Sequence, residues 1–541
     1  MKKLLLLTLL TASLFSSDDK ITLSWLEKQP KSYAKDFYIW RYLDKDITKE
    51  QSCKVLEQVK YMNNKIFYRY IDRSKDKNLL DLKACMKAKT KDLVHKEAYC
   101  IEAGLSIYDA TKLSKKELSK VIKKTKVEYK EFTQKLDIIN SPLPFKTLEQ
   151  SVPKVFFDTF NMTGSFYRNK YFNHYFSHKL IRKLKNEKYK KEFTQTIKLI
   201  VTNLNMKKAQ TSLLKLSSED LSFKAVFHLA INAIRHNKED LAMVYLEDAL
   251  EKAYYKMEKD NITFWQYLIT KDKKYLEKVA SSWDVNIYTL YANEMLKKEQ
   301  ENIIYKIEQH NKSSNYNLKD PFSWLKVLKE SKKMDNNKLT KYETIFTDNE
   351  TLGHLAFVKE RYDRYKKSYF VMPYEKYIGD LEKNRQSLIY AIGRQESRFI
   401  PTSISSAYAM GTMQIMPFLS KALAKQLKVP YDIDKQLEAK TNLKFANHHL
   451  NYLERKLKHP LLISYAYNGG IGFTSRLLKT GLFKKNSSLE KYEPFLSMEL
   501  LPYDETKKYG KKVLANYYIY QNHINKQNQV KLEKLIKSVL N

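Results

Sequence analysis

The chain has 541 residues, which is enough for two to four domains with hydrophobic cores of their own. Its 98 Lys and Arg outnumber its 61 Asp and Glu, and the net charge of +37 indicates a polyanionic partner or surface. The abundance of Lys, Asn, Ile and Tyr also leaves open a purely compositional origin of this charge. No Cys/His spacing is typical of a metal site, so no metal centre is expected.

The first 16 residues have the pattern of a secretory signal peptide. Two Lys precede an apolar run rich in Leu, and small residues follow it. The run is too short to span a membrane as a mature helix, and no other stretch reaches about 18 uncharged apolar residues. We therefore expect an exported protein with no transmembrane anchor after cleavage. Export argues against nucleic acid as the polyanionic partner.

Residues that interrupt helices are rare in the first two-thirds of the chain. Only Gly104 and Gly164, of eleven Gly, precede residue 353. Long charged segments with helical apolar periodicity fill this region, which predicts an all-helical array. One helical hairpin, close in size to a helical repeat of about 34 residues, spans Phe223 to Ala253, with a turn at Asn237 to Asp240. The fold class predicted from this pattern is all-α dominated, with an N-terminal α-superhelix, or solenoid, of helical hairpins.

A carboxylate stands on an apolar helical face near residue 390. Ile389, Ile392, Glu396 and Phe399 are spaced as one face of a helix that Pro401 is expected to end. Burial there would raise the pKa of Glu396 toward the range that suits a general acid at neutral pH. The simpler interpretation is a core-edge Glu paired with Arg394 or Arg398.

Four short motifs follow in order over roughly 120 residues. They are Gln395-Glu396-Ser397, Gly411-Thr412-Met413-Gln414-Ile415-Met416-Pro417, Ala466-Tyr467-Asn468-Gly469, and Glu499-Leu500-Leu501-Pro502 with Glu505, Thr506 and Tyr509. Together they resemble the motifs of the soluble lytic transglycosylases of Gram-negative bacteria. This resemblance implies a lysozyme-like, α-rich catalytic domain behind a helical superhelix, cleaving the glycan strands of peptidoglycan in the periplasm without a cofactor. Further contacts with other cell-wall enzymes stay open.

These features predict four segments. Residues 1–16 form the signal peptide, 17–310 the superhelical domain and 311–372 a small helical linker domain. Residues 373–541 form the lysozyme-like catalytic domain with a C-terminal helix. That helix is predicted to be a single amphipathic segment from Gln521 to Asn541. The region before 373 is expected to contribute no acid or base to the reaction, and the catalytic domain is expected to keep its chemistry on short substrates when expressed alone.

The resemblance also implies roles for individual side chains. Glu396 is the expected catalytic acid and base. All five Trp precede residue 325, so we expect Tyr or Phe side chains to stack on the sugars in the cleft. The other expected site residues bind or orient substrate: Ser397 beside the acid, Met413, Gln414 and Met416 on the cleft floor, Tyr467 orienting Glu396 or the sugar acetamide, Asn468 donating to the sugar, and Glu499 as a supporting group or an acceptor for a sugar hydroxyl.

The expected reaction follows from the carboxylates. Most glycosidases use two, yet no Asp or Glu occurs from Ser397 to Tyr431. This favours the substrate-assisted route, in which the acetamide of the muramoyl sugar attacks its own anomeric carbon and a 1,6-anhydromuramoyl end forms. Two alternatives remain: a muramidase that hydrolyses the same bond with water, and a helical scaffold that only binds glycan.

The three cysteines bear on the N-terminal part of the chain. An exported protein lies where disulfides persist, and an odd count leaves one thiol unpaired. Cys85 and Cys100 flank a polar turn region and fit a bridge between two antiparallel helices. Pairing of Cys53 with Cys85 is the alternative.

Overall fold

The computed structural model describes residues 20–308, 316–485 and 489–540. The predicted signal peptide, residues 1–16, lies outside the described residues, as does the start of the predicted linker domain. Within the described ranges helices dominate, and the strands are limited to one two-residue pair. No helix among the described residues is both long enough and apolar enough to cross a membrane.

The region before residue 300 is a succession of short and medium helices in which neighbours along the chain pack against each other. These helices are α1 (Leu23–Glu27), α2 (Tyr33–Tyr42), α3 (Lys49–Leu56), α4 (Asn64–Ser74), α5 (Lys77–Lys87), α6 (Thr90–Leu93), α7 (Ala98–Gly104), α8 (Ile107–Ala110), α9 (Lys115–Thr125), α10 (Lys130–Asn140), α11 (Pro144–Gln150), α12 (Pro153–Met162), α13 (Ser165–Tyr167), α14 (His178–Leu184), α15 (Lys190–Val201), α16 (Lys207–Leu213), α17 (Phe223–Arg235), α18 (Glu239–Lys252), α19 (Lys256–Thr270), α20 (Lys273–Ala280) and α21 (Ile287–Leu296).

The predicted hairpin is formed by α17 and α18. Ser222 caps α17 by accepting a hydrogen bond from the backbone N–H of Ala225, which satisfies one of the free donors at the helix start. The turn between the helices passes through Asn237, whose φ of +52° is a left-handed conformation that Asn tolerates well. The residues of α17 from Ala225 to Ile234 are buried, and the two helices lie within the predicted bounds, so the periodicity located this hairpin correctly.

A disulfide joins α5 and α7. The Cα atoms of Cys85 and Cys100 are 5.0 Å apart, within the range that a disulfide tolerates, and Cys53 carries a free thiol. The two helices also approach closely at Gly104, where a Cβ atom would lie 2.4 Å from the carbonyl oxygen of Cys85. A side chain at residue 104 would therefore push the two helices apart.

Three helices and a small parallel strand pair connect the N-terminal helices, the predicted superhelix, to the C-terminal domain, which is the predicted catalytic domain. Their core includes Trp324, Phe346 and Ile400, so it already contains a residue from the catalytic domain. The elements are β1 (Ile303–Ile304), α22 (Pro321–Glu330), α23 (Asn336–Ile345), α24 (Leu352–Tyr362) and β2 (Ser368–Tyr369), and β1 pairs with β2.

The catalytic domain is built around the packing of α26 on α32, and α29 packs on α32 as well. Gly510 in α32 permits this packing, because a Cβ atom there would lie 2.2 Å from the ring of Tyr465 in α29. The helices are α25 (Glu375–Ile378), α26 (Lys383–Glu396), α27 (Pro417–Gln426), α28 (Ala439–Leu457), α29 (Pro460–Gly469), α30 (Ile471–Lys479), α31 (Phe495–Glu499), α32 (Asp504–Ile524) and α33 (Leu532–Lys537).

Two predicted helices differ from the observed ones. The helix carrying Glu396 ends at that residue, because Arg398 and Phe399 adopt left-handed φ values of +58° and +67°. The C-terminal segment is the end of α32 followed by α33, not one helix from residue 521. Between them, the side chain of Asn522 bonds to both the N–H and the carbonyl of Val530, which holds the chain in a loop.

Two separate parts of the superhelix contact the catalytic domain. Near the N-terminus, Arg41 forms an ion pair with Asp434, and Asn63 donates a hydrogen bond of 2.8 Å to the hydroxyl of Tyr408. The ring of Tyr408 is fully buried in a core shared by α2 and the loop that precedes Gly411. The second contact involves α19 and α21 and is described with the site below.

Candidate active site

Glu396 is the last residue of α26 and lies at the end of a buried helical face. Both Arg residues near it in sequence are engaged elsewhere. Arg394 and Arg398 pair with the buried carboxylate of Glu360 in α24, at 2.6 Å and 3.0 Å. The simpler interpretation of Glu396 as the partner of these Arg residues is therefore wrong.

The protonation of Glu396 is set by three influences. Burial raises the pKa of this carboxyl to about 7, as the apolar helical face predicted. The hydroxyl of Tyr509 in α32 donates a hydrogen bond of 2.7 Å to Oε1 and lowers the pKa, whereas the charge of Glu505 raises it. A carboxyl with a pKa near 7 exchanges its proton at neutral pH and suits general acid–base work.

Tyr509 remains a hydrogen-bond donor under these conditions. Burial and the nearby charge of Glu396 raise the pKa of Tyr509 well above its ordinary value, so its hydroxyl keeps its proton. Sequence reasoning gave the orienting role to Tyr467 instead. Tyr509 stands in the fourth motif, so its place in a motif was the signal that could have identified it.

The hydroxyl of Tyr467 donates to the carbonyl oxygen of Met413, at 2.7 Å, and not to Glu396. This hydrogen bond holds the loop after Gly411 against α29. Next to it, Asn468 accepts a hydrogen bond of 2.8 Å from Thr506, and its amide lies 3.4 Å from Glu505. These contacts join the third motif to the start of α32.

The loop from Gly411 to Pro417 is fastened to the end of α26. Ser397 donates a hydrogen bond of 2.8 Å to the carbonyl of Thr412, and Asn442 in α28 accepts one of 2.7 Å from the N–H of Met413. Gly411 has a φ of +81°, and a Cβ atom there would lie 2.3 Å from the carbonyl of Gln436, so the turn requires glycine.

Two of the three residues predicted for the cleft floor are partly exposed, and one is not. Gln414 and Met416 are half-buried, and the amide of Gln414 donates to the carbonyls of Ser403 and Gly411. The side chain of Met413 is fully buried, so the expectation that it lines the cleft is corrected: it packs inside the domain against α26.

Glu499 is buried at the contact between α31, α32 and the superhelix. It accepts hydrogen bonds from Asn261 in α19, at 3.0 Å, and from Tyr288 in α21, at 3.4 Å. Lys511 pairs with it directly and Lys507 lies 3.7 Å away. Burial alone would raise the pKa of Glu499, but the two Lys hold it at about 2. The carboxylate therefore ties the superhelix to the catalytic domain.

No group of three or more His, Cys, Asp or Glu suited to a metal ion occurs among residues 20–308, 316–485 and 489–540.

The segment that contains Glu396 and Tyr467 matches a known protein family. Residues 374–489 match the family model of the transglycosylase SLT domain. The chain therefore carries a transglycosylase SLT domain. The matched segment contains Glu396, the loop after Gly411 and Tyr467, whereas Glu499 and Tyr509 follow it.

Curated relatives of the SLT domain are soluble lytic murein transglycosylases. The chain is 33% identical over 147 residues to that of Salmonella typhimurium and 34% identical over 140 residues to that of Escherichia coli. These alignments cover 27% and 25% of this chain, but only 22% and 21% of the relatives' own lengths. A solved lytic transglycosylase from Pseudomonas aeruginosa, an inactive mutant, aligns over 91% of this chain and 82% of its own, with 15% identity and a TM-score of 0.47. The predicted fold class, helical hairpins followed by an α-rich domain of this family, is confirmed by the observed helices and the SLT match.

Replacing Glu505 by Gln is expected to shift the alkaline limb of the pH–activity profile of the SLT domain to lower pH. The charge of Glu505 raises the pKa of Glu396, so its removal lets Glu396 lose its proton at lower pH. The value of kcat/KM measured between about pH 4.5 and 8.5 reports this pKa in the free enzyme.

The variant Tyr509→Phe provides the control, because it should shift the same limb to higher pH. Its hydroxyl lowers the pKa of Glu396, and Phe lacks it. Loss of turnover at every pH in Glu505→Gln would contradict the prediction. That result would assign Glu505 as the second carboxylate of a hydrolytic mechanism.

Proposed function

We propose that this protein is a lytic transglycosylase that cleaves the β-1,4 bond between N-acetylmuramic acid and N-acetylglucosamine in peptidoglycan. The observation that carries the proposal is the setting of Glu396. Its carboxyl has a pKa of about 7 and receives a hydrogen bond from Tyr509, and no cation among the described residues pairs with it, since Arg394 and Arg398 pair with Glu360. A glycan-binding scaffold would have no use for such a group.

Glu396 acts first as an acid and then as a base. It donates its proton to the glycosidic oxygen as the bond to the anomeric carbon breaks, while the acetamide oxygen of the same muramoyl sugar bonds to that carbon. The resulting carboxylate then takes the proton of the sugar's 6-hydroxyl, whose oxygen displaces the acetamide and closes a 1,6-anhydro ring. Glu396 ends protonated, and no water is consumed.

The surrounding groups position substrate and acid. The hydroxyl of Tyr509 stabilises the carboxylate formed after the first proton transfer, since hydrogen bonds to the charged form favour it. Asn468, Gln414 and Met416 are partly exposed and are the candidates for contacts with the N-acetyl sugars. Ser397 and Tyr467 hold the loop that carries Gln414 and Met416.

The proposed location is the periplasm, reached through the signal sequence in residues 1–16. Peptidoglycan carries free carboxylates on its peptides, which suits a protein with a net charge of +37. The glycan strand is thus the proposed partner, and the reaction needs no cofactor or metal.

Digestion of purified peptidoglycan by the full chain is expected to release muropeptides that are one water lighter than those of a muramidase. The 1,6-anhydro ring replaces the added water, and mass spectrometry of the soluble products measures the difference. A muramidase digest of the same material is the matched control. Products with reducing muramoyl ends would establish hydrolysis instead. If no soluble products were released, the remaining alternative would be a scaffold that only binds glycan.

A further inference from the structure

The turn that follows Glu396 is held by a helix from outside the matched domain. Arg398 and Phe399 both have left-handed φ values, which residues other than glycine rarely adopt and which persist only where the surroundings impose them. Gly353 in α24 lies against this turn, because a Cβ atom there would lie 2.8 Å from the carbonyl oxygen of Arg398 and 2.9 Å from the Cβ atom of Phe399. Helix α24 therefore packs on the backbone that ends α26, although it precedes residues 374–489.

Glu360 lies two turns further along the same face of α24 and uses both of its carboxylate oxygens. Oε1 accepts a hydrogen bond of 2.6 Å from Nη2 of Arg394, and Oε2 accepts one of 3.0 Å from Nε of Arg398. Glu360 is 4% exposed, so these charge-assisted bonds are shielded from water, where they are strongest. One buried carboxylate thus binds the residues two positions before and two positions after Glu396.

The two Arg side chains transmit this hold to the end of α26. Nη1 of Arg398 donates a hydrogen bond of 2.8 Å to the carbonyl oxygen of Arg394, which is one of the last four carbonyls of the helix and needs a partner. Nε of Arg394 donates one of 3.0 Å to the carbonyl of Tyr369, and its guanidinium lies 3.9 Å from the centre of the Phe370 ring. Because Glu396 is the last residue of α26, these contacts fix the backbone from which its side chain projects.

The same turn also holds the loop after Gly411. The hydroxyl of Ser397 donates to the carbonyl of Thr412 and accepts a hydrogen bond of 3.0 Å from the N–H of Ile400, just beyond the two left-handed residues. A shift of the turn would therefore move the carboxyl of Glu396 relative to the loop that carries the candidate sugar contacts.

We propose that Glu360 is a positioning residue for Glu396. Both of its oxygens are engaged by Arg, so it acts through the end of α26 and not on the substrate. Proton transfer requires the carboxyl within hydrogen-bond reach of the glycosidic oxygen, and a misplacement of about 1 Å can cost about 10²-fold in rate. This inference rests on the proposed function, because it assumes that Glu396 transfers the proton.

Replacing Glu360 by Gln is expected to lower kcat on short soluble muropeptide oligomers about 100-fold. Gln keeps the size of Glu but loses the charge that holds two guanidinium groups, so the turn is released. KM should change less than about twofold, because an interaction that matters only in the transition state affects kcat and kcat/KM equally. The candidate sugar contacts stay in place, since Asn442 and Tyr467 also hold the loop after Gly411.

The pH profile separates positioning from a mere loss of folded enzyme. Partial unfolding removes active enzyme and leaves the pKa of Glu396 in the remainder unchanged. Loss of the Glu360 charge leaves two Arg near Glu396 uncompensated and favours its ionised form, so the alkaline limb of kcat/KM should move to lower pH. The other groups that act on Glu396 are unchanged in this variant: Glu505 and Tyr509 from α32 and Tyr467 from α29.

The variant Arg398→Lys keeps the charge and tests the geometry alone. The side chain of Arg398 is 34% exposed, so the variant should fold with a thermal midpoint close to that of wild type. A Lys ammonium cannot reproduce the planar fork that bonds to Glu360 and to the carbonyl of Arg394 together. We expect about tenfold lower kcat, with KM and the alkaline limb at their wild-type values. This variant decides the question if Glu360→Gln does not fold.

Glu343→Gln is the matched control. Glu343 in α23 also pairs with a Lys of α24, Lys359, but the pair is partly exposed and includes no residue of α26, so kcat, KM and the pH profile should match wild type. Wild-type kcat in Arg398→Lys, or a fall in the rate of folded Glu360→Gln without movement of the alkaline limb, would overturn the positioning role. A wild type that does not cleave the oligomers would overturn the proposed function itself.

Discussion

Replacing Glu396 by Gln is expected to lower the turnover of peptidoglycan by about 10²–10⁴-fold or more. Gln keeps the shape of Glu and can still meet the hydroxyl of Tyr509, but it can neither donate a proton to the glycosidic oxygen nor accept one from the 6-hydroxyl. Both steps of the proposed reaction depend on this one group. The rate at which soluble muropeptides are released from peptidoglycan measures the effect.

Glu490→Gln is the matched control for this variant. Glu490 is an exposed Glu of the same domain and forms no ion pair among the described residues, so its replacement should leave turnover unchanged. Binding of Glu396→Gln to insoluble peptidoglycan should also match wild type, since the contacts with sugars remain. Turnover of Glu396→Gln close to the wild-type value would remove Glu396 from the mechanism.

Replacing Glu499 by Gln is expected to reduce the free energy of unfolding by about 3–5 kcal/mol. The change leaves the ammonium group of Lys511 buried without a counter-charge and leaves Lys507 only Asp504, at 3.8 Å, which is far costlier than losing a surface ion pair. Denaturant unfolding at pH 7 measures the difference. Part of the loss should be recovered as the pH rises through the pKa of Lys511, which burial lowers to about 8 in the wild type, because a neutral Lys needs no counter-charge.

In the wild type, the same pair predicts a loss of stability in acid. The folded-state pKa of Glu499 is about 2, below its ordinary value of 4.5. Its contribution is therefore complete above about pH 4.5 and disappears as the pH falls toward 2.

Glu533→Gln is the matched control for Glu499→Gln. Glu533 also pairs with a Lys, Lys537, but both side chains are exposed, and such pairs contribute at most about 1 kcal/mol. A destabilisation of Glu499→Gln no larger than that of Glu533→Gln would contradict the anchoring role of the buried pair.

The same buried contacts alter one expectation from the sequence. Residues 373–541 were expected to keep their chemistry when expressed alone. In the structure, Arg394 and Arg398 depend on Glu360, and Lys511 bonds to Tyr288, both from outside that segment. In an isolated segment, Arg394, Arg398 and Lys511 would lose these partners, so we expect the segment to be much less stable than the full chain.

The sequence by itself determined the helical class and the hairpin of α17 and α18, and it singled out Glu396 as the candidate catalytic residue. These features rest on local patterns: helical apolar periodicity, the rarity of Gly before residue 353, and short motifs whose residues lie within a few positions of each other. The raised pKa of Glu396 could also be anticipated, because burial of a helical face can be read from its periodicity.

Only the tertiary structure decided which side chains meet. Tyr467 and Tyr509 both come from motifs. Because of the relative orientation of α26, α29 and α32, the hydroxyl of Tyr509 donates to Glu396, whereas the hydroxyl of Tyr467 donates to the carbonyl of Met413. The pairing of both Arg with Glu360 joins residues more than 30 positions apart in the same way. A hydrogen bond or ion pair requires a specific distance and direction between two atoms, and for residues distant in sequence the packing of whole helices sets both.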